Sequence, residues 1–318
     1  MRLGGLCMNF KNKICMLQKP LNAVNKSALV KKKNLYSIIW SIVRFVFLLG
    51  LSFVVLRPII SAVSIALREA QDIKDPSVIW VPKNFTFENI ITAIKQMKFA
   101  EALKNTVLIS GVSSILQVIS CMIVGYGFAR FKFKFSNLLF VCVIMTLIIP
   151  PQTLYVPTYM LYFKMGFIDN VLSMYLPAFF GVGIRSGLFI YIFRQFYMNL
   201  PKELEDAALV DGCGYYRTFV KIIIPSVKTA IITVFLFSVV WYYNDVYFAQ
   251  MYFDSTLTIS TALSGFQSAL SIEFRGDTVL KSAILQAGSL LSILPMMIIY
   301  IIFHRFFVEG IERSGIVG

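Results

Sequence analysis

The sequence predicts an all-α integral membrane protein with six transmembrane helices. Of its 318 residues, 58% are hydrophobic and only 14% are charged, whereas soluble domains average about 45–50% apolar and about 25% charged residues. The apolar residues are concentrated in six runs, and a membrane-spanning helix needs about 20 such residues. The basic residues lie at the ends of these runs, so the net charge of +14 indicates a membrane protein and not a nucleic-acid-binding one.

The six predicted spans differ in length and in the sharpness of their ends. They cover residues 38–66, 106–129, 138–156, 171–193, a run from 229 that fades over 241–248, and 284–307. The first is long enough to tilt or to extend beyond the bilayer.

Several spans contain residues that distort helices. The prolines are Pro150, Pro151, Pro177 and Pro295, and the glycines are Gly125, Gly127, Gly181, Gly183 and Gly187. A broken helix in a membrane needs protein or a water-lined cavity to satisfy its freed backbone groups. The glycines predict either close helix packing, which we favour, or movable helices around a path.

Charge asymmetry places both termini in the cytoplasm. Residues 1–37 contain eight basic and no acidic residues, and the link after the second span contains Arg130, Lys132 and Lys134 without an acid. The link after the fourth span contains five basic residues and four acids, and the other three links are also mixed in sign. By the positive-inside rule, the segment 199–225 is therefore cytoplasmic. We interpret residues 1–37 as a retained, disordered basic tail near anionic lipid.

Catalytic motifs are absent from the sequence. It has no Gly-x-x-x-x-Gly-Lys-Ser/Thr motif, and His304 is its only histidine, which argues against a P-loop, a histidine metal pair and a Ser–His hydrolase. The five cysteines form no disulfide or metal pattern. The spans contain no carboxylate chain for proton coupling. Transport would then be driven by downhill flow, by another ion or by a partner, and the alternatives are a self-sufficient channel or carrier, a membrane enzyme and a structural subunit.

The segment 199–225 is the most informative stretch. Pro201 suits a first helical turn, and the acids at 203, 205 and 206 complement a helix N-terminus. Gly212 and Gly214 break the helix, a second apolar helix follows, and Pro225 ends it or kinks the entry into the fifth span. The sequence thus predicts a helix–turn–helix.

Two roles are open to the first of these helices. Small alanines flanked by acids would present a narrow knob with a charged rim to a partner's groove, or the helix would rest on the bilayer. Interfacial helices favour Lys and Arg on their polar face, whereas this helix is acidic, which favours docking to a protein.

Residues 205–212 read Glu-Asp-Ala-Ala-Leu-Val-Asp-Gly, and with Pro225 they resemble the EAA loop of bacterial ATP-binding-cassette (ABC) importer permeases. The family pattern is Glu-Ala-Ala, three further residues and Gly, and its carbohydrate branch often has Glu-Glu-Ala-Ala-x-x-Asp-Gly. Here Asp206 replaces the second Glu and keeps the charge, while Cys213 and Ile224 replace the usual Ala and Leu. Residues 75–82, 241–245 and 304–318 also resemble segments of maltose-type permeases, so the resemblance covers residues 38–318.

This resemblance implies a type I ABC importer permease fold in a bacterial inner membrane. The implied partners are a second permease subunit in a heterodimer, two ATPase subunits, an extracytoplasmic solute-binding protein and membrane lipid, with no nucleic acid. No cofactor is bound directly, and ATP is used by the ATPase. The residues expected to contact that ATPase are Glu205, Asp206, Ala207, Ala208, Asp211, Gly212 and Pro225.

The branch resemblance implies a sugar or oligosaccharide as the substrate. Sugar sites combine aromatic rings with hydrogen-bonding groups, and the candidate path residues are Trp241, Tyr242, Tyr243, Asn244, Asp245 and Arg185. The alternative for residues 241–245 is an aromatic belt at the membrane interface. A further alternative is that the other permease subunit makes all the contacts with the substrate.

Overall fold

The computed structural model describes residues 37–274 and 277–315, with side chains as far as Arg305. Within these residues the chain is helical, and the strand-like pairing is limited to one isolated antiparallel bridge between Arg68 and Phe85. The predicted all-α class is confirmed. The basic tail predicted at 1–37 lies, except for Ser37, outside the described residues.

The helices vary from a single turn to more than thirty residues. They are α1 (Ser37–Ala66), α2 (Ala70–Lys74), α3 (Glu88–Gln96), α4 (Phe99–Arg130), α5 (Ser136–Ile148), α6 (Tyr155–Met165), α7 (Leu172–Phe179), α8 (Ser186–Met198), α9 (Glu203–Val210), α10 (Tyr215–Thr218), α11 (Ile224–Ser226), α12 (Lys228–Tyr243), α13 (Tyr247–Tyr252), α14 (Ile259–Glu273) and α15 (Thr278–Gly315). A 3₁₀ turn (Pro151–Leu154) precedes α6, and a π-helical turn (Phe219–Ile223) joins α10 to α11.

Among the described residues, three helices are long and apolar enough to cross a membrane, namely α1, α4 and α15. Two bent pairs bring the number to five if each pair crosses once. Residues 136–165 bend by 100°, and residues 215–243 bend by 74°. The predicted fourth span, residues 171–193, forms the two short helices α7 and α8 with a break between them.

The chain divides into two units, and the described part of the first, residues 37–61, belongs to α1. Every residue from 37 to 60 is exposed. So long a stretch of exposed apolar side chains is typical of a surface that meets lipid or another chain.

In the second unit, Ala62–Gly318, the helix α4 is central. It packs against α7, α8 and α12, while α15 packs against α3, α12 and α14. The buried face of α4 is unusually polar for an apolar helix: it contains Thr106, Ser110, Ser113, Ser114 and Gln117. Such groups require partners inside the protein, because lipid provides none.

Gln117 is a satisfied member of that face, whereas the buried hydroxyl groups of Ser113 and Ser114 have no hydrogen-bond partner among the described residues. Its Nε2 donates to the carbonyl oxygen of Ile184 at 2.6 Å and to Oγ of Ser186 at 3.0 Å, and its Oε1 accepts from Ser238 at 3.3 Å. The side chain is fully buried. One residue thereby links the middle of α4 to the turn before α8 and to α12.

The prolines and glycines predicted to distort helices have different effects. Pro150 and Pro151 lie at the 100° bend, whereas Pro177 lies inside α7 and Pro295 inside α15. A Cβ atom placed at Gly125 would lie 2.7 Å from Cβ of Phe193 on α8. A Cβ atom at Gly183 or Gly187 would be similarly crowded, but one at Gly127 would meet nothing within 4 Å. Close packing is confirmed for these three crowded glycines, and the prediction was wrong for Gly127.

A buried carboxylate organises the segment between α1 and α4. Oδ2 of Asp72 accepts from the backbone N–H groups of Lys83 at 2.6 Å and Asn84 at 2.7 Å, and Oδ1 accepts from the Asn84 side chain at 3.2 Å. The hydrogen bond from the Asn84 N–H is the main reason that the pKa of Asp72 is lowered. This segment is therefore folded around Asp72 and is not a loose linker.

Candidate functional site

The segment 199–225 folds as the predicted helix–turn–helix. The first helix, α9, ends before Gly212, whose φ of +79° lies in the left-handed region that favours glycine. Gly214, the residue before α10, has an extended backbone conformation. The helix α10 then continues through the π-helical turn into α11. Pro225 lies within α11, just before the 74° bend that leads into α12. Pro225 thus lies one residue before the end of α11 and just before the kinked entry into α12, which agrees with both of its predicted roles.

The acids of α9 are not equivalent. Glu203 and Asp206 are exposed, as is Asp211 just after the helix, but the Glu205 side chain is only 17% exposed. Oε1 of Glu205 lies 2.6 Å from Nε of Arg130, and Oε2 accepts from the Tyr126 hydroxyl at 3.2 Å. The sequence interpretation counted Glu205 in an outward rim, whereas the structure turns its carboxylate towards the end of α4.

The two alanines also differ. Ala208 is 4% exposed and packs inward, while Ala207 is exposed. Residues 206, 207 and 210 share one side of α9 by helical spacing, and residue 211 follows directly after the helix. We call these four residues the exposed face of α9. Val210 on this face is 87% exposed, and Tyr215 and Tyr216 beyond the turn are 71% and 82% exposed. The surface thus combines two acids with small and apolar side chains.

A second candidate site lies where α8 begins and α12 ends. Arg185, the residue before α8, has its Cζ atom 4.6 Å from the centre of the Trp241 ring, a cation–π arrangement. Trp241 is 40% exposed. Tyr155 is close enough to Arg185 and Asp245 to interact electrostatically with both. Its ring stacks on the ring of Tyr247, and the two ring centres are 6.0 Å apart. We call Tyr155, Arg185, Trp241 and Tyr247 the aromatic cluster.

The other predicted path residues have structural contacts. Tyr242 is buried, and its hydroxyl accepts from the Ile184 N–H at 3.4 Å. Tyr243 is buried and donates to the Ser292 carbonyl oxygen at 2.7 Å. The Asn244 amide donates to the carbonyl oxygen of Val240, four residues earlier, and Asp245 accepts from the N–H of Ala249 at the start of α13. Of the six predicted residues, the structure therefore brings Arg185 and Trp241 together in one partly exposed contact.

Tyr155 and Tyr247 were missed by the sequence reasoning. Tyr155 follows the 3₁₀ turn that begins at Pro151, and Tyr247 lies two residues after the predicted 241–245 element. A signal did exist, because both are aromatic residues next to a predicted break or end of a span. Their pairing depends on the 100° bend, which the sequence does not specify.

The chain resembles known transport proteins over most of its length. Residues 121–313, more than half of the chain, match the family described as binding-protein-dependent transport system inner membrane component. This matched region extends from the middle of α4 into α15 and contains both the segment 199–225 and the aromatic cluster.

Two curated relatives illustrate the similarity. The arabinooligosaccharides transport system permease protein AraQ of Halalkalibacterium halodurans is 27% identical over 282 residues, covering 84% of this chain and 93% of AraQ. The melibiose/raffinose/stachyose import permease protein MelC of Bacillus subtilis is 26% identical over 248 residues, covering 77% of this chain and 86% of MelC.

A solved structure has a similar fold. A chain from the crystal structure of a bacterial ABC transporter involved in the import of the acidic polysaccharide alginate superposes with a TM-score of 0.73 at 19% identity. The match covers 85% of this chain and 96% of the other. At this level of identity, the likeness establishes the fold.

Proposed function

The chain belongs to the family of binding-protein-dependent transport system inner membrane components, and from this premise we propose that it is one permease subunit of an ABC importer for a sugar or oligosaccharide. The names of AraQ and MelC support this class of substrate. The observation that carries the proposal is the exposed face of α9, an acidic, small-residue surface within the family's matched region.

We propose six spans with both termini in the cytoplasm. The helices α7 and α8 together would form the fourth span, and the two bent pairs would form the third and fifth. The excess of Lys and Arg in alternate links supports this orientation. It puts the segment 199–225 on the cytoplasmic side and the segment folded around Asp72 outside.

The proposed partners are a second permease subunit, two ATPase subunits and an extracytoplasmic solute-binding protein. The chain has no P-loop motif, so hydrolysis of ATP is assigned to the ATPase subunits. The exposed face of α9, together with Gly212 and the neighbouring tyrosines, would fit into a groove of one ATPase subunit. Closure of the ATPase dimer would then move α9 and rock the permease pair between its inward- and outward-facing states.

The aromatic cluster is the proposed contribution of this chain to the path of the sugar. Exposed aromatic faces stack on sugar rings, while a guanidinium and two phenol groups offer hydrogen bonds to hydroxyls. Because Tyr242 and Tyr243 are buried among helices, they would hold Trp241 in position without touching the substrate.

The proposal is tested by purifying the full chain from its native host in mild detergent and identifying the proteins bound to it. We expect an ATPase, a second permease and a solute-binding protein. The variant Ala207→Trp on the exposed face of α9 should lose the ATPase. The matched control Lys132→Trp, at another exposed position on the proposed cytoplasmic side, should keep it.

The substrate class is tested in proteoliposomes containing the whole complex. ATP-dependent uptake of a labelled di- or oligosaccharide from a panel is the expected result. Flow of solute through the chain alone, without ATP, would instead establish a channel or carrier and overturn the proposal.

A further inference from the structure

Arg130 and Glu205 form the most buried ion pair among the described residues. The Arg130 side chain is 6% exposed and the Glu205 side chain 17%, whereas the other two ion pairs have side chains that are 39–60% exposed. A carboxylate withdrawn from solvent and bonded through both of its oxygens is unavailable to a partner protein. Glu205 therefore differs in its role from Asp206 beside it, which is exposed.

Arg130 also contacts the chain just before α9. Its Nη2 donates to the Leu200 carbonyl oxygen at 2.9 Å. Arg130 is the last residue of α4. Its guanidinium therefore connects the end of α4 both to the residues that precede α9 and to α9 itself. This contact fixes the position of α9 more firmly than a single ion pair would.

An aromatic group surrounds the ion pair. The Tyr126 ring lies 5.3 Å from the ring of Tyr197, near the end of α8, and 4.6 Å from the ring of Phe219 in the π-helical turn. Tyr126 also donates to Glu205. The end of α4 is thereby packed against both helices of the segment 199–225, so a displacement of that segment cannot leave α4 unaffected.

Towards its N-terminus, α4 contacts the turn that carries Arg185 of the aromatic cluster. Gln117 lies 13 residues before Arg130, or about 20 Å along a helix axis. Its bonds to Ile184 and Ser186 flank Arg185 on both sides. The described contacts thus run without interruption from α9 through Arg130 and α4 to the turn that presents Arg185 to Trp241.

We propose that Arg130 and Glu205 are positioning residues that form a rigid joint between α9 and α4, through which movement of α9 reaches the aromatic cluster. This inference rests on the proposed function, because it assigns the moving force to an ATPase. The joint binds no ATPase itself; it determines how much of the ATPase movement is converted into transport.

The test compares uptake per ATP hydrolysed in proteoliposomes containing the complete importer. Glu205→Gln removes the charge but keeps the side chain's size and its acceptor oxygen. We expect the ATPase to remain bound and to hydrolyse ATP, while uptake per ATP falls by roughly tenfold, a typical size for coupling between sites. The matched control is Glu203→Gln, which removes an exposed acid of the same helix and should leave uptake per ATP unchanged.

A charge reversal provides the second arm. Arg130→Glu and Glu205→Arg should each lower uptake per ATP, and the double variant should recover most of it, which a purely steric role would not produce. If Glu205→Gln prevents assembly, Glu205→Asp and Arg130→Lys take its place in the same assay.

Four results would overturn the joint. Three are unchanged uptake per ATP in assembled Glu205→Gln complexes, an equal loss in Glu203→Gln, and failure of all conservative variants to assemble, which would indicate a folding role alone. The fourth is loss of the ATPase alone from Glu205→Gln complexes that still contain the second permease, which would assign Glu205 to docking. Failure of the unaltered chain to copurify with any ATPase would contradict the proposed function itself, so the two failures are distinguishable.

Discussion

The Nε atom of Arg130 lies 2.6 Å from Oε1 of Glu205, a residue 75 positions further along the chain. Removing one partner of a largely buried ion pair strands the other charge, at a cost of about 3–5 kcal/mol. Arg130→Ala or Glu205→Ala should therefore lower the free energy of unfolding. We expect a loss of about 3 kcal/mol, at the lower end of this range, because Glu205 keeps some contact with solvent. Denaturant unfolding of the detergent-solubilised chain measures this change.

The double variant Arg130→Met/Glu205→Leu should be closer to the unaltered chain than either single variant. Apolar residues of similar size leave no stranded charge. Strictly additive losses in the double variant would contradict an interaction between the two side chains.

Tyr126 and Tyr197 provide a matched pair of hydroxyl deletions with rings 5.3 Å apart. The Tyr126 hydroxyl donates to Glu205, while the buried Tyr197 hydroxyl has no hydrogen-bond partner among the described residues. Tyr126→Phe should cost about 1–2 kcal/mol, since its acceptor is charged. Tyr197→Phe should be neutral or stabilising in the same unfolding measurement. A larger loss from Tyr197→Phe would indicate a partner for its hydroxyl.

Gly125 and Gly127 on α4 test the close approach of α8. A methyl group at position 125 would overlap Cβ of Phe193, but one at 127 would enter open space. Gly125→Ala should destabilise the fold by about 1–3 kcal/mol. Gly127→Ala should be neutral or stabilising by up to about 1 kcal/mol, since Ala favours helix. Thermal unfolding in detergent compares the two, and equal shifts would contradict the packing seen between α4 and α8.

The difference between these glycines shows what the sequence does and does not predict. Hydrophobic run length predicts that α4 spans the membrane, and charge bias predicts where it ends. Both glycines occur in the same apolar run, and nothing local distinguishes them. Only the approach of α8, some 65 residues later, makes position 125 crowded.

The segment 199–225 was predicted more accurately than the aromatic cluster, for a physical reason. Its helices and turn are set by local signals, namely the acidic first turn and Gly212, whose left-handed φ few other residues adopt. The inward turn of Glu205 depends on Arg130, a distant residue, and was not predicted. The cluster likewise depends on the bend after Ile149, which brings Tyr155 to Tyr247.

The lowered pKa of Asp72 predicts that the stability of the segment between α1 and α4 depends on pH. Its pKa is lowered in the folded chain, chiefly by the Asn84 N–H. A depressed folded pKa contributes stability that is present above the unfolded pKa, about 3.9, and is lost as the pH falls through the folded pKa. Protease resistance of residues 62–98 should therefore stay constant from neutral pH to about pH 4 and decline only below it.

The variant Asp72→Asn should reduce this dependence, to which Asp75 also contributes because a hydrogen bond from Lys83 lowers its pKa. It should also increase cleavage at neutral pH, since an amide is a weaker acceptor for the Lys83 and Asn84 N–H groups. Asp75→Asn is the matched control at a more exposed carboxylate, and it should leave the segment resistant at neutral pH. Equal cleavage of both variants would contradict the organising role of Asp72.

Substitution of Trp241 is expected to reduce transport specifically. Replacing Trp241 by Ala removes both the stacking surface and the contact with Arg185, together worth about 1–2 kcal/mol. Uptake at low substrate concentration should fall by roughly tenfold, while Trp241→Phe should retain most of it. The control is Trp40→Ala, at an exposed tryptophan of α1. Equal loss in the control would indicate a general effect of removing a tryptophan at the membrane.

The buried polar face of α4 also has a consequence for biosynthesis. The partners of Gln117 are at positions 184–186 and 238, so α4 leaves the ribosome well before any of them exists. At translation rates of about 5–20 residues per second, roughly ten seconds pass before Ser238 is made. During that interval the amide of Gln117 must be accommodated by the insertion machinery or by water at its lateral opening. The chain is therefore expected to complete its helical core only near the end of synthesis.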